Sequence, residues 1–379
     1  MTRKALIALA VLFSFAYFNA RLSFAQVGTE IPPVVAGAKQ VTVEHIKVHG
    51  KSLEGNLEGD TTDRDVIVFL PPNYNQDKNR RYPVVYALHG YSIGAEQWTH
   101  EIRVPQTIEG SFAQGTKEMI VVLPDSKTIY AGSFYSSSAT TGDFERFISH
   151  DLVEYIDAHY RTIANRNSRG LAGHSMGGYG TARIGMKHPD VYGVMYVMSA
   201  CCMTAQGMMG FNPPQAGFGP PPNANAAPNP RSSQDVDKAI AAAKSPEEAA
   251  KAAGMPAALG TSAAWSPNPK NPPLYLDLPI KDGVPQPEIQ AKWLANAALD
   301  MIDQYIGNLR QYRAIGVEVG DKDMGVVTVT KFHEVLDSYG IPNQFELFQG
   351  THTSRVAFRF QEHVLPFFSK NLCFTADCR

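Results

Sequence analysis

The sequence predicts an α/β fold in which helices flank a mostly parallel central sheet. Two observations support this prediction. Short apolar, β-branched runs bounded by proline or glycine recur along the chain, and stretches with helical spacing separate them. Strands that alternate with helices in this way favour a parallel sheet. The composition agrees, since 44% of the 379 residues are hydrophobic and the net charge is only −2, which excludes a chain that is disordered overall.

Four predicted strands are short, apolar and β-branched, which is typical of strands buried on both faces. They lie at 65–70, 84–88, 119–123 and 192–199, and two further strands are predicted at 315–319 and 345–348. Helices are predicted where apolar side chains recur at helical spacing. These stretches are 143–159, a pattern from Trp293 to Leu309, and 330–338.

Residues 201–290 differ in composition from the rest of the chain. Residues 203–232 are rich in Met, Gly, Pro, Asn and Ala, which predicts a loop with local extended structure. Residues 234–253 are rich in Ala, Lys and Glu and predict one or two small helices. We therefore expect a core formed by 26–200 and 291–379, interrupted by a lid-like, partly flexible insertion at 201–290.

The N-terminus is organised like an export signal. Arg3 and Lys4 precede an apolar stretch, and Ser23-Phe24-Ala25 is a small-x-small cleavage site, so residues 1–25 are predicted to be removed. Export would make the protein secreted or periplasmic, with no stable membrane anchor after cleavage. The alternative is an uncleaved anchor, although the stretch is short for a span and no basic cluster follows it.

The four cysteines are compatible with an oxidising compartment, but the sequence leaves their pairing open. Cys373 and Cys378 are close enough to bridge in the C-terminal tail. Cys201 and Cys202 are adjacent and follow an apolar run, where the alternative to a bridge is a pair of buried thiols. No Cys/His spacing supports a zinc site. The near balance of 34 basic and 36 acidic residues gives no electrostatic argument for binding nucleic acid.

The strongest functional pattern is Gly173-His174-Ser175-Met176-Gly177, a G-x-S-x-G motif between an apolar stretch and a small-residue helix. A turn this tight between strand and helix requires glycines, and it exposes the serine hydroxyl above the sheet edge. The Met176 N–H then points to where an oxyanion would form, beside the positive end of the helix. Ser175 is therefore the predicted nucleophile.

A serine hydroxyl needs a base and an acid that orients the base, and this arrangement has the chain order serine, acid, histidine. Four histidines follow Ser175. We predict His352 as the base because it lies in a loop directly after a predicted strand. His188 ends the helix after the serine and is too near to reach back, while His333 and His363 are expected on helix surfaces.

The acid is also expected in a loop after a strand. Asp321 and Asp323 follow the predicted strand 315–319, and the residues alone leave both as candidates. One of them can act as the acid while the other caps the turn. Asp125 follows another strand, but it precedes the serine in the chain and is better explained as a turn residue.

The second oxyanion donor is expected in the loop after the strand 84–88. His89-Gly90 allows the backbone to approach the site there, and the Tyr91 N–H is the predicted donor. His89 itself is more consistent with a structural role than with a base. The chain has no phosphate-binding or dinucleotide-binding glycine motif between a strand and a helix. This chemistry requires neither a metal nor a cofactor.

These motifs resemble those of the esterase D-like branch of the α/β-hydrolases, which includes S-formylglutathione hydrolases, feruloyl and acetyl esterases, and mycolyltransferases. The resemblance covers about 40–200 and 300–370 and implies an α/β-hydrolase fold. The stretches that carry it are VFLPPNY at 68–74, RYPVVYALHG at 81–90, YRTI at 160–163, GHSMGGYG at 173–180 and HPD at 188–190.

The resemblance also implies site residues. The family's acid is the last residue of a Gly-x-x-Asp turn, which corresponds to Asp323 rather than Asp321. The family's histidine follows a Gly-x step, which corresponds to His352, and its Ser-Met-Gly-Gly motif places the nucleophile at Ser175. The chain departs from the family pattern in the long insertion at 201–290.

Together, these features predict an exported serine carboxylesterase that acts on a small-molecule or saccharide ester. Two alternatives remain at this point. The same residues could transfer an acyl group to an alcohol or sugar, as in mycolyltransferases, with the exclusion of water making the difference. The chain could also be a non-catalytic binding protein on a hydrolase scaffold, because a fold does not fix a function.

Overall fold

The computed structural model describes residues 28–208, 233–253, 257–281 and 284–375. The predicted export signal, Cys378 and most of the Met/Pro-rich stretch lie outside the described residues. The strands, in chain order, are β1 (Thr42–His49), β2 (Asp63–Leu70), β3 (Val84–Leu88), β4 (Ile120–Pro124), β5 (Ser137–Ser138), β6 (Gly142–Asp143), β7 (Arg169–His174), β8 (Val194–Met198), β9 (Ile280–Lys281), β10 (Val284–Pro285), β11 (Ala314–Gly320) and β12 (Gln344–Phe348).

Eight of these strands form one sheet in the order β1-β2-β4-β3-β7-β8-β11-β12. All neighbouring pairs from β4 to β12 are parallel, whereas β2 pairs antiparallel with both β1 and β4. Only β2 therefore runs against the common direction, and the predicted α/β class with a mostly parallel sheet is confirmed. The remaining strands form two short hairpins, β5 with β6 and β9 with β10.

Helices cover the sheet and also build the insertion. The helices of the first half are α1 (Ala95–Glu101), α2 (Val104–Ala113), α3 (Phe144–Arg146), α4 (Leu152–His159) and α5 (Met176–Lys187). Those of the insertion region are α6 (Ala205–Met208), α7 (Ser233–Ala242), α8 (Pro246–Ala253), α9 (Ala257–Trp265) and α10 (Pro287–Leu294). Those near the C-terminus are α11 (Ala298–Met301), α12 (Ile306–Leu309), α13 (Val326–Ser338), α14 (Val356–Arg359) and α15 (Leu365–Asn371).

Short helical turns of other types connect several elements. A π-helical turn, Phe147–Asp151, joins α3 to α4, so the helix predicted over 143–159 is one helical segment with a widened turn in its middle. A second π-helical turn, Phe360–Val364, joins α14 to α15. The 3₁₀ turns are Lys51–Leu53, Arg166–Ser168 and Ile302–Tyr305.

The central strands are buried on both faces, and their side chains alternate between two apolar layers. In β3, Val84, Tyr86 and Leu88 belong to one layer, while Val85 and Ala87 belong to the other. This alternation follows from the two-residue period of a strand. Burying an aliphatic or aromatic side chain stabilises the fold by roughly 1.5–3 kcal/mol, so the two layers hold the sheet in one register.

The insertion docks on the core through a third, smaller apolar cluster. Tyr130 of the core contacts residues of α8, α9 and the segment after α9 in this cluster, whose buried members are Tyr130, Ala250, Leu259, Ala263 and Leu276. Helix α8 begins where the Ser-Pro-Glu-Glu pattern places a helix start, and the Ser245 hydroxyl accepts a 3.2 Å hydrogen bond from the Glu248 N–H. No helix in the described ranges is long and apolar enough to cross a bilayer.

The structure decides between the alternatives that the sequence left open for the two cysteines after β8. Cys201 and Cys202 are bonded to each other, and both are buried. Cys373 is also in a disulfide, and its predicted partner, Cys378, lies outside the described residues.

Candidate active site

Ser175 lies at a sharp turn between β7 and α5. Its backbone has φ 59° and ψ −115°, a left-handed conformation that a residue with a side chain rarely adopts. The turn depends on its two glycines. A Cβ on Gly173 would overlap the backbone of Gly177, and a Cβ on Gly177 would overlap the Leu88 carbonyl of β3. The strained turn holds the serine at the carboxyl edge of the sheet, where its side chain is partly exposed.

The structure brings Ser175 and His352 together although 177 residues separate them. Nε2 of His352 lies 2.9 Å from Oγ of Ser175, and this nitrogen can accept the hydroxyl proton. His352 lies in the loop after β12, at the same edge of the sheet as the end of β7. The parallel strands β7, β8, β11 and β12 all end at this edge, which explains how distant residues meet there.

Asp323 completes the chain of hydrogen bonds. Nδ1 of His352 donates to the Asp323 carboxylate, at 2.9 Å from Oδ2 and 3.1 Å from Oδ1. The carboxylate also accepts a 2.7 Å hydrogen bond from the Gly325 N–H and one from the Ser199 hydroxyl. Burial alone would raise the pKa of Asp323, but these hydrogen bonds and the neighbouring imidazole lower it below its usual value.

The second candidate acid has a different role. Asp321 accepts a 2.9 Å hydrogen bond from the Gly350 N–H and is exposed. It therefore fastens the loop that leads to His352 without touching the imidazole. Of the two aspartates that the residues alone left open, the structure places only Asp323 against His352.

The other histidines considered as bases have separate partners. His188 lies 3.4 Å from a Glu145 oxygen, His333 lies 2.7 Å from Asn343, and His363 lies 3.1 Å from Glu346. All three are therefore engaged in surface or helix-end contacts. Sequence reasoning and structure agree that the loop after β12 supplies the imidazole that reaches Ser175.

His89 and Asp125 fix the backbone near the site. His89 is buried, donates from Nδ1 to the Gly90 carbonyl at 2.8 Å, and accepts at Nε2 from the Ser126 N–H at 2.8 Å. Burial lowers the pKa of His89, which keeps the ring neutral in this role. Asp125 accepts hydrogen bonds from Arg64 and from the first amide of α1, Ala95, which is the turn role expected of it.

The two predicted oxyanion donors flank Ser175. Met176 is the first residue of α5, and N–H groups in the first turn of a helix have no acceptor within that helix. Tyr91 follows β3, whose end passes close to the nucleophile: a Cβ on Gly90 would lie 3.4 Å from Cβ of Ser175. Met176 is thus the chain neighbour of Ser175, and Tyr91 is the chain neighbour of Gly90, which approaches Ser175.

Two residues at the site were given no role by the sequence reasoning. His174 donates from Nε2 to the His352 carbonyl at 2.7 Å, and burial lowers the pKa of His174 to about 3. Ser199, directly after β8, binds the carboxylate of Asp323. A signal for His174 exists, because it is a polar residue at the end of a strand that is otherwise buried. Ser199 gives no comparable signal.

No group of three or more His, Cys, Asp or Glu side chains among the described residues is arranged to hold a metal ion. Separately from this, hydrogen bonds join the hydroxyl of Ser175, the imidazole of His352 and the carboxylate of Asp323 in one series. In this order they can pass a proton from oxygen to nitrogen while the acid stabilises the imidazolium.

Comparisons with known proteins find esterases among the relatives of this chain. An endo-1,4-β-xylanase/feruloyl esterase of Xylanibacter ruminicola is 30% identical over 141 residues, which are 35% of this chain and 19% of that protein. An esterase of Mycobacterium tuberculosis is 31% identical over 126 residues, 32% of this chain and 26% of that protein. The matched stretches thus span only about a fifth to a quarter of these curated relatives.

Solved structures show the same fold over most of the chain. A ferulic acid esterase superposes with a TM-score of 0.54 at 22% identity and covers 88% of this chain and 100% of its own. An S-formylglutathione hydrolase of Staphylococcus aureus superposes with a TM-score of 0.52 at 14% identity, covering 88% of this chain and 99% of its own. The predicted α/β-hydrolase fold and the resemblance to this branch are confirmed.

A family model described as "Putative esterase" matches residues 61–363, which include β2 to β12 and all of Ser175, Asp323 and His352. This match covers well over half of the sequence, and it includes the insertion. The chain therefore belongs to this esterase family.

Proposed function

We propose that this protein is a serine esterase that hydrolyses carboxylic esters through an acyl-enzyme formed on Ser175. The observation that carries the proposal is the continuous hydrogen-bonded series from the Ser175 hydroxyl through His352 to Asp323, with distances of 2.9 Å at each step. A nucleophile, a base and a buried acid in hydrogen-bond contact form the minimal set for acyl transfer.

In the first half of the reaction, Oγ of Ser175 attacks the ester carbonyl while Nε2 of His352 takes the hydroxyl proton. The Asp323 carboxylate orients the imidazole and stabilises its positive charge. The carbonyl oxygen becomes an oxyanion, which the N–H groups of Met176 and Tyr91 bind. When the tetrahedral intermediate collapses, His352 gives its proton to the alcohol oxygen, and the C–O bond to the alcohol breaks.

In the second half, water takes the place of the alcohol. His352 removes a proton from the water as the oxygen attacks the acyl carbon, and a second tetrahedral intermediate forms in the same oxyanion site. Its collapse returns the proton to Oγ of Ser175 and releases the carboxylic acid. His352 thus accepts and returns each proton that moves in this cycle.

We further propose that the substrate is a small-molecule or saccharide ester. The support is the relative from Xylanibacter ruminicola, whose name joins a feruloyl esterase to a xylanase and which shares 30% identity over 141 residues. We also propose that the chain is exported, on the basis of the basic, apolar and small-x-small pattern of residues 1–25. Fractionation of cells that express the full chain, with N-terminal sequencing of the product, tests the export.

The activity is tested on the purified protein with p-nitrophenyl, feruloyl and acetyl-sugar esters and with a fluorophosphonate probe. We expect ester hydrolysis and labelling of one serine, and Ser175→Ala should lower kcat at least about 10³-fold and abolish the label. Ser338→Ala is the matched control, because Ser338 is exposed at the end of α13. An unlabelled, inactive parent would favour a binding protein, and an ester product formed with an added alcohol in preference to the acid would favour an acyltransferase.

A further inference from the structure

The side chains of the two oxyanion donors meet at one glycine. A Cβ on Gly132 would lie 2.6 Å from Sδ of Met176 and 2.8 Å from Cδ2 of Tyr91, so the bare α-carbon of Gly132 contacts both side chains. The backbone of Gly132 does not have a positive φ. Glycine is thus required there by space, since any larger residue would push on Tyr91, on Met176 or on both.

The turn that contains Gly132 also holds the backbone around Tyr91. The Tyr91 hydroxyl donates to the Tyr130 carbonyl at 3.1 Å, and the next amide, that of Ser92, donates to the Ala131 carbonyl at 2.8 Å. Ala131 has φ 69°, an unfavourable conformation for alanine that persists only where surrounding contacts enforce it. The hydrogen bonds to Tyr130 and Ala131, which lie outside the loop that contains Tyr91, therefore help to set the position of the Tyr91 amide.

The insertion contacts Tyr91 through helix α9. A Cβ on Gly260 would lie 2.7 Å from the Tyr130 carbonyl oxygen, 2.9 Å from Cε2 of Tyr91 and 3.1 Å from the Tyr91 hydroxyl. Helix α9 thus presents a glycine where it meets the tyrosine and its hydrogen-bond acceptor. Because glycine has no side chain, the backbone of the insertion can come this close to Tyr91 and to the Tyr130 carbonyl.

Helix α9 is itself anchored to the same core segment. The Tyr130 hydroxyl donates to the Leu274 carbonyl at 2.7 Å, and the Ser138 hydroxyl donates to the Ala263 carbonyl of α9. At the end of the helix, Nε1 of Trp265 donates to the Ser136 hydroxyl at 3.3 Å. The bonds of Ala263 and Trp265 tie α9 to the core segment, and the bond of Leu274 ties the stretch that follows α9. We therefore expect a methyl group added at Gly260 to press on Tyr91.

We propose that the insertion positions the oxyanion site: helix α9, through Gly260, and the core turn, through Gly132, clamp the Tyr91 ring so that its amide faces the oxyanion formed at Ser175. Gly260 and Gly132 are positioning residues in this arrangement. The proposal rests on the esterase activity proposed above, and it gives the insertion a part in transition-state stabilisation.

The test is Gly260→Ala in the full protein, with kcat and KM measured on a p-nitrophenyl ester. Losing one oxyanion donor costs about 10²- to 10³-fold in kcat in serine hydrolases, so a displaced donor should cost at least about tenfold. KM should stay within about twofold, and a trifluoromethyl ketone, which forms a tetrahedral oxyanion on the serine, should bind about tenfold more weakly. Gly307→Ala in α12 is the matched control, because a Cβ there meets no atom within 4 Å.

A double-mutant cycle with Tyr91→Ala shows whether the effect of Gly260→Ala on kcat depends on the Tyr91 ring. This substitution keeps the Tyr91 amide and removes the ring, whereas the Tyr130 carbonyl, which the new methyl group would also meet, stays in place. If Gly260 acts through that ring, Gly260→Ala should lower kcat less than about twofold in the Tyr91→Ala background. An equal loss of kcat in both backgrounds would overturn the proposal, as would a Gly260→Ala protein with parental kcat.

If Gly260→Ala does not fold, Tyr91→Phe provides the second measurement. It removes only the hydroxyl that donates to Tyr130, adds no atoms, and should lower kcat about threefold or more with KM unchanged. Parental kcat in both Tyr91→Phe and Gly132→Ala would also overturn the proposal. A parent protein that neither hydrolyses esters nor takes the fluorophosphonate label shows instead that the proposed activity is wrong, before any variant is compared.

Discussion

His174 donates a 2.7 Å hydrogen bond from Nε2 to the main-chain carbonyl of His352. The residue directly before Ser175 thus holds the backbone of His352, the proposed base. The two rings also pack against each other, with centroids 4.9 Å apart. His174 can donate to the carbonyl and remain uncharged, because burial lowers its pKa to about 3. A charged ring at this distance would oppose protonation of His352 during the reaction.

The first prediction concerns this hydrogen bond. His174→Leu removes the donor and leaves the His352 carbonyl unpaired, and the freed loop should lower kcat about three- to tenfold, which corresponds to one hydrogen bond. His174→Gln, which can donate from its amide, should recover part of the loss. Steady-state kinetics on a p-nitrophenyl ester measure both variants, and a His174→Leu enzyme with parental kcat would contradict this role.

The second prediction concerns the pH dependence of stability. The unfolded chain protonates His174 near its ordinary pKa of 6.5, whereas the folded protein resists protonation until about pH 3. The unfolded state therefore binds more protons between these values, and the free energy of unfolding should fall as the pH is lowered from 6.5 towards 3.

Urea unfolding at pH 7.5 and pH 5 tests this dependence. The decrease between the two pH values should be smaller in His174→Gln than in the parent. His45→Gln is the control, because the side chain of His45 is 62% exposed. An identical decrease in His174→Gln and in the parent would rule out His174 as a source of the pH dependence.

The third prediction separates the two neighbouring aspartates. Asp323→Asn removes the charge that orients His352 and should lower kcat about 10³- to 10⁴-fold. Asp321→Asn is the matched control, because the Asp321 carboxylate accepts from the Gly350 N–H in the same loop region, and its effect should stay below about threefold. The kcat values of both variants decide the assignment, and the reverse order of effects would show that the acid is misassigned.

The fourth prediction concerns Glu58, a carboxyl group that is only 2% exposed. Burial raises the pKa of Glu58 well above 4.5, the charge of Asp60 raises it further, and Arg64 offsets only part of the increase. Above pH 4.5 the unfolded chain loses this proton while the folded protein retains it. The group therefore lowers the free energy of unfolding as the pH rises.

Glu58→Gln keeps the size of the side chain and removes the titration. Its Tm relative to the parent should increase between pH 5 and pH 8, by at least about 2 °C, as measured by calorimetry. Glu54→Gln, at an exposed position four residues earlier, is the control. A Tm difference that does not change with pH would be inconsistent with a buried, protonated Glu58.

Much of the sheet could be predicted from the sequence because its central strands are buried on both faces. The apolar runs at 84–88 and 315–319 correspond to β3 and β11 almost residue for residue. Strand β1 was not among the predicted strands. It is an edge strand whose residues are mostly exposed or half-buried, so its sequence, TVEHIKVH, lacks the apolar run by which six other strands of the sheet were identified.

The positions of Ser175 and His352 could be predicted because each has a local signal: a glycine pattern around the serine and a strand immediately before the histidine. The choice of Asp323 over Asp321 had none in the residues themselves, since both follow β11, and it needed the family resemblance. The sequence likewise carries no signal for the loop that supports Tyr91. Its left-handed residues are Ala131, Phe134 and Tyr135, and left-handed backbone is normally marked by glycine or asparagine.

The separation of Ser175 from His352 has a consequence for the newly made chain. The serine is held by β7, but the imidazole arrives only when β12 adds to the free edge of β11, and these strands join in parallel across long crossovers. Such non-local pairings form slowly. During synthesis, an emerging polypeptide that already carries the hydroxyl still lacks its proton acceptor. The hydrogen bond between Ser175 and His352 therefore forms only after β12 has been made and has paired with β11.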